Sequence, residues 1–236
     1  MTLKPAVPIL VMCISLTACL KDPDPQPQTF NTYQYYYNYL LEDYDLQWEI
    51  NGEIIGAHPY GSAAYAIIQL DTVEQELLYR TRNSESGLSL DSLSCLLYDY
   101  GSYMFAMVGT EQEAHLLFEP MDTHYATPGM VKYRFLHTVP GLGPVDVYAG
   151  GELPENKVIS GIEYMEVTDY YESSEEDMWA EVTITPAGFL PADSLLLSYT
   201  INNQFRGGWV YMCTLSHIDP DTTSEIEMQV FDQPMY

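Results

Sequence analysis

The sequence contains two copies of one unit, and this repeat restricts the possible folds more than any other feature. Residues 33–40 align with residues 132–139, which lie 99 positions further along the chain. Residues 103–107 match residues 209–213 at a spacing of 106 positions. A spacing that grows slowly along the chain is expected when two copies differ by small loop insertions. The repeat therefore predicts two tandem domains of the same type.

Each copy has the alternating pattern of β-strands. Leu46, Trp48 and Ile50 alternate with polar residues and precede an Asn-Gly pair, which is typical of tight hairpin turns. Similar strands recur at short intervals without a long helical period. This pattern predicts an all-β fold with two tandem antiparallel β-sandwich domains of the immunoglobulin-like type. We expect the first domain at residues 30–127 and the second at residues 128–236.

Residues 71–78 fit two local structures. Their Asp-Thr-Val-Glu start is compatible with a capped helical turn. The same residues also fit a loop that leads into a strand, so the sequence leaves both possibilities open.

The first residues of the chain predict export and a lipid anchor. Residues 1–18 have a positively charged Lys4 and an apolar stretch at residues 6–18, which is too short to span a bilayer. This segment ends in Leu-Thr-Ala before Cys19, which resembles the lipobox of bacterial lipoproteins and implies that Cys19 is lipidated. Residues 19–29 are rich in proline and predict an extended tether. We expect an outer-membrane lipoprotein exposed at the cell surface, while a periplasmic orientation stays open.

The charge of the chain excludes some partners. It has 34 acidic residues, only eight Lys and Arg residues, and a formal net charge of −26. A nucleic-acid-binding surface needs clustered cations to displace counterions, so no nucleic-acid partner is expected. Electrostatic docking on anionic lipid is disfavoured for the same reason. We therefore expect contact with the membrane only through the lipid anchor.

One stretch of the second copy resembles a known family. Residues 133–140 contain Arg-Phe-Leu-His, and residues 144–151 contain Val-Asp-Val-Tyr followed by a glycine turn. These motifs resemble the start of the bacterial family called domain of unknown function 4397. The first copy departs from the pattern, because Asn38 stands where the second copy has His137. The resemblance implies secreted or surface proteins with tandem β-sandwich modules, and it implies no activity.

No motif indicates catalysis or a bound cofactor. The sequence lacks a Gly-x-Ser-x-Gly elbow and a glycine-rich phosphate loop. The five histidines are not spaced as zinc ligands, and we expect a ring nitrogen of His137 to bond the backbone of a neighbouring loop. Residues 219–225 offer oxygen ligands but lack the ligand spacing and the central glycine of a calcium-binding loop. Residues 172–177 are typical of a solvated acidic loop. We expect no enzyme activity, no metal and no cofactor.

Two cysteines remain in the expected folded part. Cys95 and Cys213 lie among apolar residues, as buried strand thiols do. A disulfide between them is an alternative in an oxidising compartment. The spacing does not require it, and we expect two unpaired thiols.

A row of tyrosines is the main candidate for a binding face. Alternation places Tyr33, Tyr35, Tyr37 and Tyr39 on the face that carries Lys and Arg in the second copy, where it is expected to be solvent-side. Such a row of rings needs a cover, which is a glycan, a peptide, a partner protein or the other copy of the domain. The sequence leaves these covers open.

These features together predict a non-enzymatic binding module for a glycan or a protein partner. A structural or assembly subunit of an envelope complex is the alternative. A glycan hydrolase that uses two of the many carboxylates is a third, less favoured hypothesis.

Overall fold

The computed structural model describes residues 28–199 and 205–233, which fold almost entirely into β-strands. Within these residues the first module has eight strands, which are Phe30–Leu40 (β1), Leu46–Ile50 (β2), Glu53–His58 (β3), Ser62–Leu70 (β4), Glu74–Asn83 (β5), Ser89–Tyr98 (β6), Ser102–Thr110 (β7) and Glu113–Pro120 (β8). The second module has eight strands in the same range, which are Met130–His137 (β9), Val145–Ala149 (β10), Lys157–Ile162 (β11), Tyr171–Ser174 (β12), Val182–Pro186 (β13), Leu197–Tyr199 (β14), Val210–Asp219 (β15) and Thr222–Gln233 (β16). A short helix, Glu175–Ala180 (α1), and a 3-10 turn at Pro154–Asn156 complete the second module.

The two modules have the same strand order. In the first module the order is β4-β1-β7-β8 in sheet I and β3-β2-β5-β6 in sheet II. In the second module it is β12-β9-β15-β16 in sheet III and β11-β10-β13-β14 in sheet IV. The predicted all-β fold of two tandem sandwiches is confirmed. Each module departs from purely antiparallel pairing at one place, because β1 pairs with β7 and β9 pairs with β15 in parallel.

The strand pairing corrects one detail of the repeat. Tyr36 of β1 lies beside Phe105 of β7, whereas its equivalent Phe135 lies beside Cys213 of β15. Phe105 therefore corresponds to Cys213, and the alignment of Phe105 with Tyr211 was wrong by two residues. An error of two residues keeps the same side of the strand inward, so the sequence pattern alone did not expose it.

Each module has its own apolar core between its two sheets. In the first module Tyr36, Trp48 and Phe105 are fully buried between sheets I and II. In the second module Phe135 and Val147 are among the residues buried between sheets III and IV. These residues occupy the inward positions that the alternating pattern predicts.

A third apolar layer joins the modules. Sheets I and III pack against each other through Tyr37, Met104, Leu136 and other buried residues. The molecule is consequently a stack of four sheets in the order II, I, III, IV. Because the two central sheets are covered on both faces, β7 and β15 are buried along nearly their whole length.

The expectation that the second face of β9 is solvent-side was wrong. Arg134, Leu136 and Thr138 lie on this face and are buried, because it packs against sheet I. The Arg134 guanidinium donates to the carbonyl oxygen of Pro120 at 3.2 Å and stacks 4.8 Å from the centre of the Tyr170 ring. Arginine tolerates such a site because its flat, weakly hydrated group stacks on aromatic rings.

Local structure settles the remaining sequence alternatives. Residues 71–73 form a bend that leads into β5, so the loop and strand replace the helical turn. Residues 172–177 are not a loop, since they form part of β12 and the start of α1. The Ser174 hydroxyl accepts a hydrogen bond from the Asp177 backbone N–H at 3.0 Å, which caps the helix.

The two core cysteines are buried and unpaired, as predicted. Cys95 lies in the core of the first module and Cys213 in the core of the second. Burial raises the pKa of the Cys95 thiol to about 12, which keeps it protonated and unreactive at neutral pH.

Candidate functional site

The four central strands define two ends of the molecule. Strands β1, β7, β9 and β15 run in the same direction. Within each module this follows from parallel pairing. Across the modules, Tyr37 meets Phe231, the partner of Met212, and Tyr39 contacts Gln229, the partner of Thr214, so β1 and β15 advance together. We name the end where these strands begin the anchor end, since the predicted tether precedes β1. The other end, which we name the loop end, carries the connections at residues 41–45, 59–61, 138–144 and 187–196 and the hairpin turn at residues 220–221.

A pocket of about 540 Å³ opens at the loop end of the second module. Its volume lies in the range that small-molecule sites usually have. The walls come from the loop after β9, the loop before β14, and strands β15 and β16. The lining residues are Val139, Pro140, Gly141, Leu142, Leu195, Leu196, His217 and Ile226. Apart from His217, this lining is aliphatic and uncharged.

His137 holds the first wall of the pocket in place. Its Nε2 atom lies 3.0 Å from the carbonyl oxygen of Gly143, and its Nδ1 atom accepts a hydrogen bond from the Val139 backbone N–H at 3.2 Å. The predicted contact of His137 with loop backbone is confirmed. Burial lowers the pKa of His137, which favours the neutral ring that these two bonds require.

Asp146 and Tyr148 hold the second wall. The Asp146 carboxylate accepts hydrogen bonds from Lys157 at 2.6 Å and from the backbone N–H groups of Gly161 and Gly188 at 2.8 and 2.9 Å. The Tyr148 hydroxyl donates to the carbonyl oxygen of Phe189 at 3.0 Å. These bonds fasten the start of the 187–196 loop to sheet IV. The Val-Asp-Val-Tyr motif therefore has a structural role close to the pocket.

His217 is the polar residue of the lining. It continues the inward row of Cys213 and Leu215 on β15, and only 3% of its surface is exposed. Neither ring nitrogen has a hydrogen-bond partner among the described residues. A buried polar group without a partner costs roughly 1–3 kcal/mol. His217 is among the residues that line the pocket, and each of its ring nitrogens has less than 1 Å² of exposed surface. A molecule in the pocket therefore becomes a hydrogen-bond partner only when the ring turns toward it.

No sequence motif distinguishes His217 from the other four histidines. The available signal was its place two residues after Leu215 in an alternating strand, which indicates an inward side chain. The pocket itself had no sequence signal, because its walls come from segments that lie far apart along the chain.

An acidic groove of about 370 Å³ lies beside the pocket, between the two modules. It is lined by five carboxylates together with two tyrosines, two prolines and one isoleucine, which are Glu42, Asp43, Tyr44, Asp45, Pro59, Tyr60, Ile218, Asp219, Pro220 and Asp221. The Tyr60 hydroxyl donates to the His217 carbonyl oxygen at 3.0 Å and so ties the modules together here. Within the described ranges, no group of three or more His, Cys, Asp or Glu side chains is arranged to hold a metal ion.

The predicted tyrosine face is mostly covered by the second module. Tyr35, Tyr37 and Tyr39 are buried in the layer between sheets I and III, and Tyr33 is half-buried on the same face. The Tyr37 ring meets Phe231 edge-on with 5.2 Å between ring centres. Of the covers that the sequence left open, the other copy of the domain is the one present in the structure.

The predicted lipidation site lies outside the described residues. Cys19 and the signal segment at residues 1–18 belong to the part of the chain that the structure does not describe. In the part that it does describe, no helix has the length and apolar character needed to cross a membrane.

Comparisons with known proteins add little. No family model and no curated protein sequence matches the chain. Among solved structures, the chain is similar to the crystal structure of CBMbc, a family CBM26 module of Amy13K from Eubacterium rectale in complex with maltoheptaose. The identity is 12%, the TM-score is 0.24, and the match covers 86% of this chain and 97% of that chain. A likeness at this TM-score carries no argument about the ligand of this chain.

Proposed function

We propose that this chain is a non-enzymatic, lipid-anchored binding protein whose ligand enters the pocket at the loop end of the second module. The observation that carries the proposal is His217, a buried side chain whose two ring nitrogens have no partner among the described residues, in a pocket whose other described side chains are apolar. Sites for small molecules typically combine apolar walls with a few polar groups that orient the ligand.

The lining of the pocket supports binding rather than catalysis. Among its described residues, His217 is the one side chain that can exchange a proton. General acid–base or nucleophilic catalysis needs at least a second positioned group, such as a nucleophile, an orienting carboxylate or an oxyanion donor. Among the described residues of the lining, no side chain other than His217 provides such a group.

The geometry of the stack supports display of the pocket away from a membrane. The predicted tether precedes β1, which begins at the anchor end and is 11 residues long. At about 3.3 Å per residue, the loop end lies roughly 35 Å from the point where the tether joins the fold. A lipid on Cys19 would therefore hold the anchor end near an outer membrane and leave the pocket facing outward.

The test of binding uses residues 28–236, which contain every residue of the three apolar layers. A mixed library of sugars, peptides, lipids and neutral apolar compounds is screened by heteronuclear NMR. We expect at least one compound to shift the backbone signals of Val139, Leu142 and Ile226 in a saturable way. A Leu195→Trp variant, which fills the mouth of the pocket, abolishes these shifts.

Leu153→Trp is the matched control, because Leu153 is an exposed leucine of the same module that does not line the pocket. It should leave binding unchanged. A library in which no compound shifts the pocket signals contradicts the proposal, as does a ligand whose binding is indifferent to Leu195→Trp.

The anchor has a separate test in cells. The full chain, labelled with an alkyne fatty acid, should carry the label and stay with the outer membrane, and Cys19→Ala should lose both properties. Protease treatment of whole cells then distinguishes a surface orientation from a periplasmic one. Labelling that persists in the Cys19→Ala variant contradicts the anchor.

A further inference from the structure

We propose that the pocket selects a neutral, mainly aliphatic molecule that carries a single hydrogen-bonding group. This inference rests on the proposed function, because it specifies the ligand of the same pocket. Three properties of the pocket lead to it: the chemistry of its walls, the isolation of its polar residue and the charge around it.

The walls favour hydrocarbon over sugar. Val139, Leu142, Leu196 and Ile226 present aliphatic surface, and none of the described lining residues is an aromatic side chain that could stack on a sugar face. A sugar would also bring several hydroxyl groups into a lining whose described side chains offer one polar group, so that the loop backbone would have to pair with all the others. Each hydroxyl that lost water without gaining a partner would cost free energy. Aliphatic ligand surface gains from the same burial at about 25 cal/mol per Å².

The polar residue favours one hydrogen-bonding group in the ligand. A neutral imidazole has one N–H donor and one lone-pair acceptor. Both ring nitrogens of His217 lack partners among the described residues and are almost fully covered, so a ligand gains one of them when the ring turns toward the pocket. A hydroxyl, carbonyl or amide group placed beside the ring satisfies a nitrogen that would otherwise stay unpaired.

The surrounding charge favours a neutral ligand. Among the described residues that line the pocket there is no Lys or Arg to compensate an anion. The adjoining groove holds five carboxylates, and Asp219 lies two residues from His217. An anionic ligand would be desolvated and repelled at the same time. The same carboxylates attract a cation toward this end of the molecule, but inside the pocket a cation loses its water and meets no carboxylate among the described lining residues.

The experiment compares ligands with the same chain and different head groups. Residues 28–236 are titrated at pH 7.5 with 1-octanol, octanoate, octylammonium and maltose, and binding is followed by the NMR signals of the pocket and of the His217 ring nitrogens. We expect 1-octanol to bind in a saturable way and to shift a His217 nitrogen. Octanoate, octylammonium and maltose should bind at least ten-fold more weakly.

A His217→Phe variant tests the hydrogen bond separately. Phenylalanine keeps a flat ring in place and removes both nitrogens, so the fold should be at least as stable as in the unchanged protein. We expect 1-octanol to bind roughly five-fold more weakly, since one net hydrogen bond is lost. Cyclohexane, which makes no hydrogen bond, should bind the variant and the unchanged protein equally. Equal affinity of 1-octanol for both proteins would overturn the role of His217.

The outcomes separate the inference from the proposed function. If a charged molecule or a sugar binds best and shifts the pocket signals, the inference on ligand class is overturned while the pocket remains the binding site. If none of the compounds of the screen or of this series reaches the pocket, both are overturned. Binding of 1-octanol that is abolished by Leu195→Trp and retained in Leu153→Trp supports both.

Discussion

Two different residues make equivalent hydrogen bonds at the end of the first strand of each module. Asn38 accepts a hydrogen bond from the Leu40 backbone N–H at 3.0 Å and donates to the His58 carbonyl oxygen at 2.9 Å. His137 accepts from the N–H two residues later and reaches a loop carbonyl with its other nitrogen. The departure of the first module from the Arg-Phe-x-His pattern therefore keeps the function of the side chain.

This equivalence leads to a prediction about His137. His137→Ala leaves the Val139 N–H unpaired and should destabilise the protein by roughly 2–3 kcal/mol, whereas His137→Asn should cost about half as much. Because the pKa of His137 is lowered in the fold, the unfolded chain takes up the proton first as pH falls. The stability that His137 contributes is therefore complete above about pH 6.5 and declines below it.

Urea unfolding of the unchanged protein and both variants between pH 5 and pH 7.5 measures this effect. The free energy of unfolding of the unchanged protein should exceed that of His137→Asn, and this difference should become smaller as the pH falls. A difference that stays constant over this range contradicts the prediction.

A second prediction concerns Asp146. Burial alone would raise its pKa, but the hydrogen bonds from Lys157, Gly188 and Gly161 outweigh burial and lower the pKa. The contribution of this carboxylate is therefore complete above its ordinary pKa near 4 and is lost as pH falls through the lower value of the folded state. At pH 7, Asp146→Asn should destabilise the protein by about 2 kcal/mol, because it removes the charge of a buried carboxylate that pairs with the partly exposed Lys157 and accepts two backbone hydrogen bonds.

Chemical unfolding at pH 7 and pH 3 tests this. The difference in free energy of unfolding between the unchanged protein and Asp146→Asn should be large at pH 7 and smaller at pH 3. Asp193→Asn is the matched control, because Asp193 is an exposed aspartate of the same module that makes no ion pair within the described residues. Equal stability of Asp146→Asn and the unchanged protein at pH 7 contradicts the prediction.

The sequence predicted some of these residues and missed others for a physical reason. The role of His137 followed from its place at the end of a strand next to a loop. The burial of Arg134 did not, because it depends on the Pro120 carbonyl and the Tyr170 ring, which other segments supply. The lack of a hydrogen-bond partner for His217 among the described residues likewise depends on which groups other segments place around its ring.

At the scale of elements, a tyrosine fixes the start of the strand that pairs in parallel with the first strand of each module, which is β7 in the first module and β15 in the second. The Tyr103 hydroxyl accepts the Tyr98 backbone N–H at 3.0 Å, and the Tyr211 hydroxyl accepts the Arg206 N–H at 2.8 Å. Each bond spans five residues and holds the turn before the strand against it. Alternation predicted the strands, while this bond, like the short α1 helix, required knowledge of the turn geometry.

The tyrosine bond leads to a prediction. Tyr211→Phe should destabilise the protein by about 1 kcal/mol, because it leaves the Arg206 N–H without its partner. Thermal unfolding measures the change. Tyr125→Phe is the control, since Tyr125 is 65% exposed and should change nothing. A Tyr211→Phe variant as stable as the control would show that the bond contributes nothing.

At the scale of the whole molecule, the layer between sheets I and III makes one body of two sandwiches. We expect the unchanged protein to unfold in a single transition, because this layer couples the two cores. Tyr37→Arg places a charge in the layer, where Tyr37 is 1% exposed and packs on Phe231. The variant should unfold in two calorimetric transitions, one for each module.

Tyr125→Arg provides the control, because it adds the same charge at an exposed position. It should keep the single transition. A Tyr37→Arg variant that also unfolds in one transition at an unchanged temperature would show that the layer does not couple the modules.

The covered tyrosines also bear on how a chain of this type could have arisen. A gene for the first module alone would encode a protein whose sheet I exposes an apolar face to water. Such a protein would be expected to dimerise through this face in order to stay soluble. When two descendants of that ancestor are joined on one polypeptide, the second module takes the place of the dimer partner and is always present at high local concentration. One descendant is then free to change residues near the ends of its strands, as His217 of β15 in place of Gly109 of β7 illustrates.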